Sequence, residues 1–392
     1  MKWSRGLLIA ALYVSVFGCA TAPSEPEPSP APAQANPAAP VTPVPVTPAE
    51  KTPASQPTTP APAGAAIVPV PIEPRVAHIA LILPLKSPSF AKAADTVRQG
   101  FFVAASKVVN GLPIRVYSCA DEGAEVVALY QQAQNNGAVA VVGPLTRGGV
   151  AALAANPELT TPTLALNILD STRSDQLYFF SLPPETEARQ AAQRATTAGI
   201  LSATVVSTNS PLSKRLAQAF SDEWQREGGI LQPEIVYSGD PTPLKELSQD
   251  PGNSVFLAAE IDKARLLRPY INASIPVYAT SQVFSGNTNT LTNYDLADVR
   301  FVDMPWMLQP DHPAVMIYPR VVPALTPDME RLYALGIDAY RLIEIMMERN
   351  RGALPLDGVT GKITLYGHQF QREAVSAIMR QGQGVVIEGK WR

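Results

Sequence analysis

From Val76 to Arg392 the sequence predicts an α/β fold of two doubly wound lobes with a central cleft. Three observations predict it. Short apolar runs alternate with segments of helical periodicity. The alternation restarts after Pro183-Pro184. A long amphipathic helix and closing hairpin strands then return late in the chain, so the chain passes between the lobes more than once.

The run Val76 to Leu85 is continuously apolar, as a strand buried on both faces requires. A helix follows over about 91–109, with Ala94, Val97, Phe101, Ala105 and Val108 on one face. Next come a strand at Ile114 to Tyr117, a helix at 124–135, a strand at Val139 to Val142, a helix from Gly149 and a strand at Thr163 to Leu166. The second unit reads as a helix at 185–198, a strand at Ala203 to Val206 and a helix at 214–227. Strands at Ile235 to Tyr237, Val255 to Leu257 and Val277 to Tyr278 follow, with a short helix at 262–270 before the last. Leu332, Leu335, Ala339, Leu342 and Met346 mark a long helix over 328–348. The end strands are Gly361 to Tyr366, Gln369 onward and Gly384 to Ile387. The expected boundaries are lobe 1 at 76–181 and 305–360, and lobe 2 at 182–304 and 361–392.

The N-terminal segment is of another kind. Lys2 and Arg5 precede an apolar stretch from Leu7 to Phe17, too short for a membrane span, and Val16-Phe17-Gly18-Cys19 closes it. This order predicts a lipoprotein signal over 1–18, cleaved before a lipidated Cys19; an ordinary secretory leader with a chance cysteine is the other reading. Ala20, where an aspartate would favour inner-membrane retention, points to the periplasmic face of the outer membrane. Of the 39 prolines, 17 fall between Thr21 and Arg75, in a stretch too poor in large apolar residues to build a core. Residues 19–75 therefore read as a disordered tether. At about 3.1 Å per residue it would reach roughly 170 Å if fully extended. It is either a spacer of required length or a passive linker.

A net charge of −3 gives no argument for nucleic acid as partner. Lipidation of Cys19 leaves Cys119 no second cysteine for a disulfide, and its place after Ile114 to Tyr117 predicts burial at a strand end. His78, His312 and His368 are scattered without metal-ligand spacing, and no nucleophile elbow or Ser-x-x-Lys set occurs. No catalytic residue, metal or cofactor is expected. Gly382-Gln383-Gly384 reads as a hairpin turn.

Several stretches together resemble the carboxy-terminal domain of the LpoA/LppC lipoproteins. They are His78 to Leu85, Gly143-Pro144-Leu145, Leu164 to Asn167, Pro276 to Ser281, Asp303 to Leu308, Arg331 to Tyr340 and Gly358-Val359-Thr360-Gly361. The resemblance covers His78 to Gly389. It implies a type I periplasmic-binding-protein-like fold and a non-catalytic role as activator of a class A penicillin-binding protein in peptidoglycan synthesis. Better-known members carry a helical domain where this chain has its Pro/Ala stretch. In solute-binding members of the fold, loops at the strand ends grip an amino acid. The corresponding candidates here are Lys86, Ser87, Thr146, Arg147 and Asn167, with Thr208, Asn209 and Ser281 from the second lobe. They hold either a small polar ligand or nothing, in a cleft kept shut. Trp306 is either an anchor for a protein partner or a packed residue of a crossing segment. The alternative function is a solute-binding lipoprotein of an ABC-type transporter; a plain structural tether is the third.

Overall fold

The computed structural model describes residues 75–389 except 121–122, 170–173, 289 and 349–350. The expected signal peptide, the lipidated Cys19 and nearly all of the expected tether lie outside the described residues.

The first lobe opens with β1 (His78–Leu83), α1 (Ala91–Ala105), β2 (Ile114–Ser118), α2 (Gly123–Asn135), β3 (Ala138–Val142), α3 (Arg147–Ala154), β4 (Thr163–Ala165) and β5 (Leu177–Phe180). The chain crosses to the second lobe, which contains α4 (Pro184–Thr197), β6 (Ser202–Thr208), α5 (Pro211–Arg226), β7 (Ile230–Leu231) and β8 (Ile235–Tyr237). It continues with β9 (Asn253–Ala258), α6 (Ile261–Leu267), β10 (Val277–Ala279) and β11 (Val299–Asp303). A return crossing leads through α7 (Pro305–Leu308), α8 (Pro313–Met316), α9 (Pro327–Met347), β12 (Leu356–Asp357), β13 (Lys362–Tyr366) and β14 (Gln369–Glu373). A third crossing leads into β15 (Val375–Arg380) and β16 (Gln383–Val386).

The first sheet has the order β12-β13-β14-β5-β4-β3-β1-β2. The second runs β16-β15-β11-β10-β9-β6-β7, with β8 also pairing β6. Parallel pairing dominates, and the antiparallel pairs belong to the late strands β12 to β16. One expectation needs correction. The boundary expected between residues 360 and 361 falls at Ala374 instead. Gln369 and Phe370 pair in parallel with Phe179 and Phe180, and Ile363 and Phe370 complete the first lobe's core. Val375 then pairs with Asp303 in the second sheet.

Alternation explains the unbroken apolar run of β1. Ile79, Leu81 and Leu83 face the core shared with α1 and α9, while Ala80 and Ile82 face Val126, Tyr130, Val150 and Leu153 of α2 and α3. The second sheet repeats the device. Val255 and Leu257 join one core, and Phe256 and Ala258 join another that includes Phe220 and Trp224 of α5. On the first lobe's outer layer, α1 and α9 touch backbone to backbone. A Cβ on Gly100 would lie 1.9 Å from the Tyr333 carbonyl oxygen, and one on Gly336 would lie 2.1 Å from that of Val97. Gly143 ends β3 at φ 97°, with room for no Cβ beside Ile82. Cys119 is buried at the end of β2, with its N–H donating to the Leu83 carbonyl at 3.0 Å. Gln381 (φ 50°) and Gly382 (φ 74°) make the tight turn between β15 and β16. Among the described residues no helix is long and apolar enough to cross a membrane.

Candidate functional site

Where α/β lobes meet, the carboxyl ends of their strands leave a crevice. Here it is a cavity of about 600 Å³. Its floor is apolar, formed by Phe90, Leu145, Leu166, Leu182, Leu332 and Leu335; Arg147, Arg189 and Arg215 also line it. The Arg215 Nε lies 3.3 Å from a Glu185 carboxylate oxygen.

Three of the eight predicted cleft residues line this cavity: Thr146, Arg147 and Asn167. The Thr146 and Asn167 side chains serve the backbone. The Thr146 hydroxyl caps α3 by accepting from the Gly149 N–H at 3.2 Å. The Asn167 amide donates to the Leu145 carbonyl at 3.0 Å and its oxygen accepts from the Ile168 N–H at 2.9 Å. Lys86, Ser87, Thr208, Asn209 and Ser281 lie outside the lining. Lys86 is exposed, 3.8 Å from Glu125. Ser87 and Thr208 are buried in local turns, where they accept from the Phe90 and Ser210 N–H groups. Asn209 is exposed. Ser281 is buried among the strand crossings.

Trp306 also needs correction as a surface anchor. It is fully buried, and its indole N–H donates to Glu330 at 2.6 Å. The Arg320 guanidinium carbon lies 3.8 Å from the centre of its ring. An aromatic with no exposed surface cannot insert into a partner. The three histidines serve local structure. His78 contacts the Val76 carbonyl and the Tyr117 hydroxyl, His312 caps α8, and His368 contacts the Leu177 carbonyl.

Beneath the cleft the structure assembles charges that the sequence reading passed over. Arg331 of α9, in the first lobe, reaches Asp303 at the end of β11 in the second. Its Nε donates to Oδ1 at 3.2 Å and its Nη2 to Oδ2 at 2.7 Å. Nη2 also meets the carbonyls of Ser281 and Phe284 at 3.0 and 2.9 Å. Asp303 is completely buried. A second buried pair joins Arg372 of β14 to Glu187 of α4, whose other oxygen accepts from the Ser281 N–H at 2.9 Å. Gln190 of α4 brackets the third crossing, donating to the Arg372 carbonyl at 2.8 Å and accepting from the Ala374 N–H at 3.0 Å. Burial pulls the Arg331 guanidinium down, but Asp303 and Glu187 more than reverse this, so it stays above its ordinary value.

Arg372 also donates to the Thr360 carbonyl, and Thr360 is held in turn by Asp338 of α9. The Asp338 carboxylate accepts from the Val359 and Thr360 N–H groups at 3.1 and 2.8 Å and from the Thr360 hydroxyl at 2.7 Å. Burial pushes its carboxyl up from the usual range, opposed by Arg341 and these bonds. This explains why Arg331 to Tyr340 and Gly358 to Gly361 work as one unit. A usable signal was present: Arg331 and Asp338 are charges seven residues apart on the otherwise apolar face of a helix.

Comparison with known proteins agrees with this architecture. The family described as "LppC putative lipoprotein" matches residues 72–250 and 243–375. The chain belongs to that family. A Yersinia pseudotuberculosis relative named penicillin-binding protein activator LpoA is 27% identical over 310 residues, covering 66% of this chain and 47% of that protein. The chain thus spans about half the length of the curated relatives it matches. Among solved structures, the LpoA (YraM) C-domain of Haemophilus influenzae, described as a regulator of PBP1A, aligns with a TM-score of 0.65. It is 24% identical and covers 79% of this chain and 99% of that chain. A Chromobacterium violaceum structure described as a "putative branched-chain amino acid ABC transporter" aligns with a TM-score of 0.69 at 38% identity, covering 78% of this chain and 100% of that chain. The fold is thus the LpoA C-domain fold, shared with the Chromobacterium structure.

Proposed function

We propose that this LppC-family chain is a non-catalytic regulator, lipid-anchored through Cys19 at the periplasmic face of the outer membrane. It binds a class A penicillin-binding protein and favours that enzyme's cross-linking-competent state by binding it more tightly than the other state. The observation that carries this reading is the 310-residue match to a protein named as a penicillin-binding protein activator. The buried ion pairs across the crossings support it, because they favour one fixed arrangement of lobes over a clamshell that opens and closes. Adding the purified chain to a class A penicillin-binding protein of the same source should raise the yield of cross-linked peptides from lipid-linked precursor. No rise, with no binding detected, would reject the reading. In cells, halving the stretch from Thr21 to Arg75 should abolish function if its length supplies the reach, and full function would show a passive linker.

A second reading, a solute-binding lipoprotein of an ABC-type transporter, is favoured by the description of the Chromobacterium protein. It requires a small ligand that stabilises the chain by mass action, so a screen of amino acids should raise the melting temperature. On the activator reading the same screen leaves it unchanged.

A further inference from the structure

At the N-terminal ends of β10 and β11, away from the crossings, the second lobe contains a separate cavity of about 680 Å³. Arg268 lines it, yet is only 6% exposed. Its Nε donates to the Ala297 carbonyl at 3.0 Å and its Nη1 to the Ile271 carbonyl at 2.8 Å, and among the described residues nothing accepts from Nη2. Nη2 therefore meets the water of the cavity, where an incoming anion would take its donors in a charge-assisted hydrogen bond. Burial pulls Arg268 below its ordinary value, against Asp298. Lys245 adds a second cation to the wall, its Nζ 5.5 Å from the centre of the Tyr270 ring.

The same wall carries Asp295 and Asp298, which would repel a simple polyanion but accept hydrogen bonds from hydroxyls. Tyr294, 54% exposed, offers an aromatic face. Asp298 sits at φ 61°, in the left-handed region. The fitting ligand therefore has one acidic group, hydroxyls beside it and a carbon-ring face.

We propose that this cavity binds a saccharide carrying a carboxylate. Arg268 and Lys245 receive the acid, Tyr294 packs on the ring, and Asp295 and Asp298 accept from hydroxyls. The inference stands on the cavity alone and does not require the activator reading. Calorimetric titration of the full chain would use three probes: N-acetylmuramic acid, the neutral sugar N-acetylglucosamine, and D-lactate as an acid without a sugar. N-acetylmuramic acid should bind about tenfold tighter than either of the others. Tyr294→Ala and Lys245→Gln, on exposed side chains, should each weaken it at least about threefold with no change in melting temperature, and Arg215→Ala in the cleft should leave it unchanged. Equal affinity for the three probes, no binding of N-acetylmuramic acid at about 10 mM, or indifference to the Tyr294 and Lys245 variants would overturn the proposal.

Discussion

The crossing region and the mouth of the cleft lie close together and use charge in opposite ways. In the crossing region Arg331, Asp303, Arg372 and Glu187 are buried, and each acid meets both a guanidinium and a backbone N–H from its surroundings. At the mouth Arg147, Arg189 and Arg215 are exposed. Charges taken out of water tolerate no loss of a partner, whereas charges left in water are nearly independent of theirs. This fold is constrained in the residues that fix one lobe against the other, more than in those facing the cavity.

Removal of one side of a buried pair should have the largest effect. Arg331→Leu leaves Asp303 buried without its cation and should cost about 3–5 kcal/mol in urea unfolding. A loss below about 1 kcal/mol would mean that the charge is solvated after all. Trp306→Ala should cost about 3 kcal/mol, because it removes a fully buried indole and one of the two N–H donors to Glu330, the other being Arg320. Reduced partner binding at unchanged stability would instead restore Trp306 as a surface anchor. Gly336→Ala, within the first lobe, should cost about 2 kcal/mol by forcing α1 and α9 apart. It should leave the interlobe distance unchanged, which separates general destabilisation from loss of the crossings. Arg215→Ala at the mouth should stay within about 0.5 kcal/mol of the parent chain, since the Arg215 side chain is 62% exposed and its ion pair is screened by water. A larger loss would show that the mouth is also structural.

Much of the fold was legible because the β1 run and the long helix at 327–347 carry their burial in local periodicity. The strands β5 and β11 escaped the reading. Each is four or five residues long and lies among loops that dilute its pattern. The lobe membership of β13 and β14 was not readable, because it depends on Phe370 pairing with Phe180, far away in the chain. The same holds for the crossing region. Arg331 and Asp303 are 28 residues apart and Arg372 and Glu187 are 185 apart, so no local pattern joins them. Strand-end loops did lead to Thr146, Arg147 and Asn167, because the topology of parallel sheets sends such loops to the crevice. The commitment of the Thr146 hydroxyl and the Asn167 amide to the backbone follows from loop geometry that residue type alone does not carry.

The most direct test of a fixed lobe arrangement is the distance between lobes in solution. Spin labels on Val109→Cys and Leu291→Cys, at positions 86% and 83% exposed in the first and second lobes, report it by double electron–electron resonance. Lobes held by the buried pairs give one narrow distribution, unchanged by a mixture of amino acids and broadened by Arg331→Leu. A second, shorter population that grows with an added solute would contradict it and identify the chain as a closing, solute-binding protein.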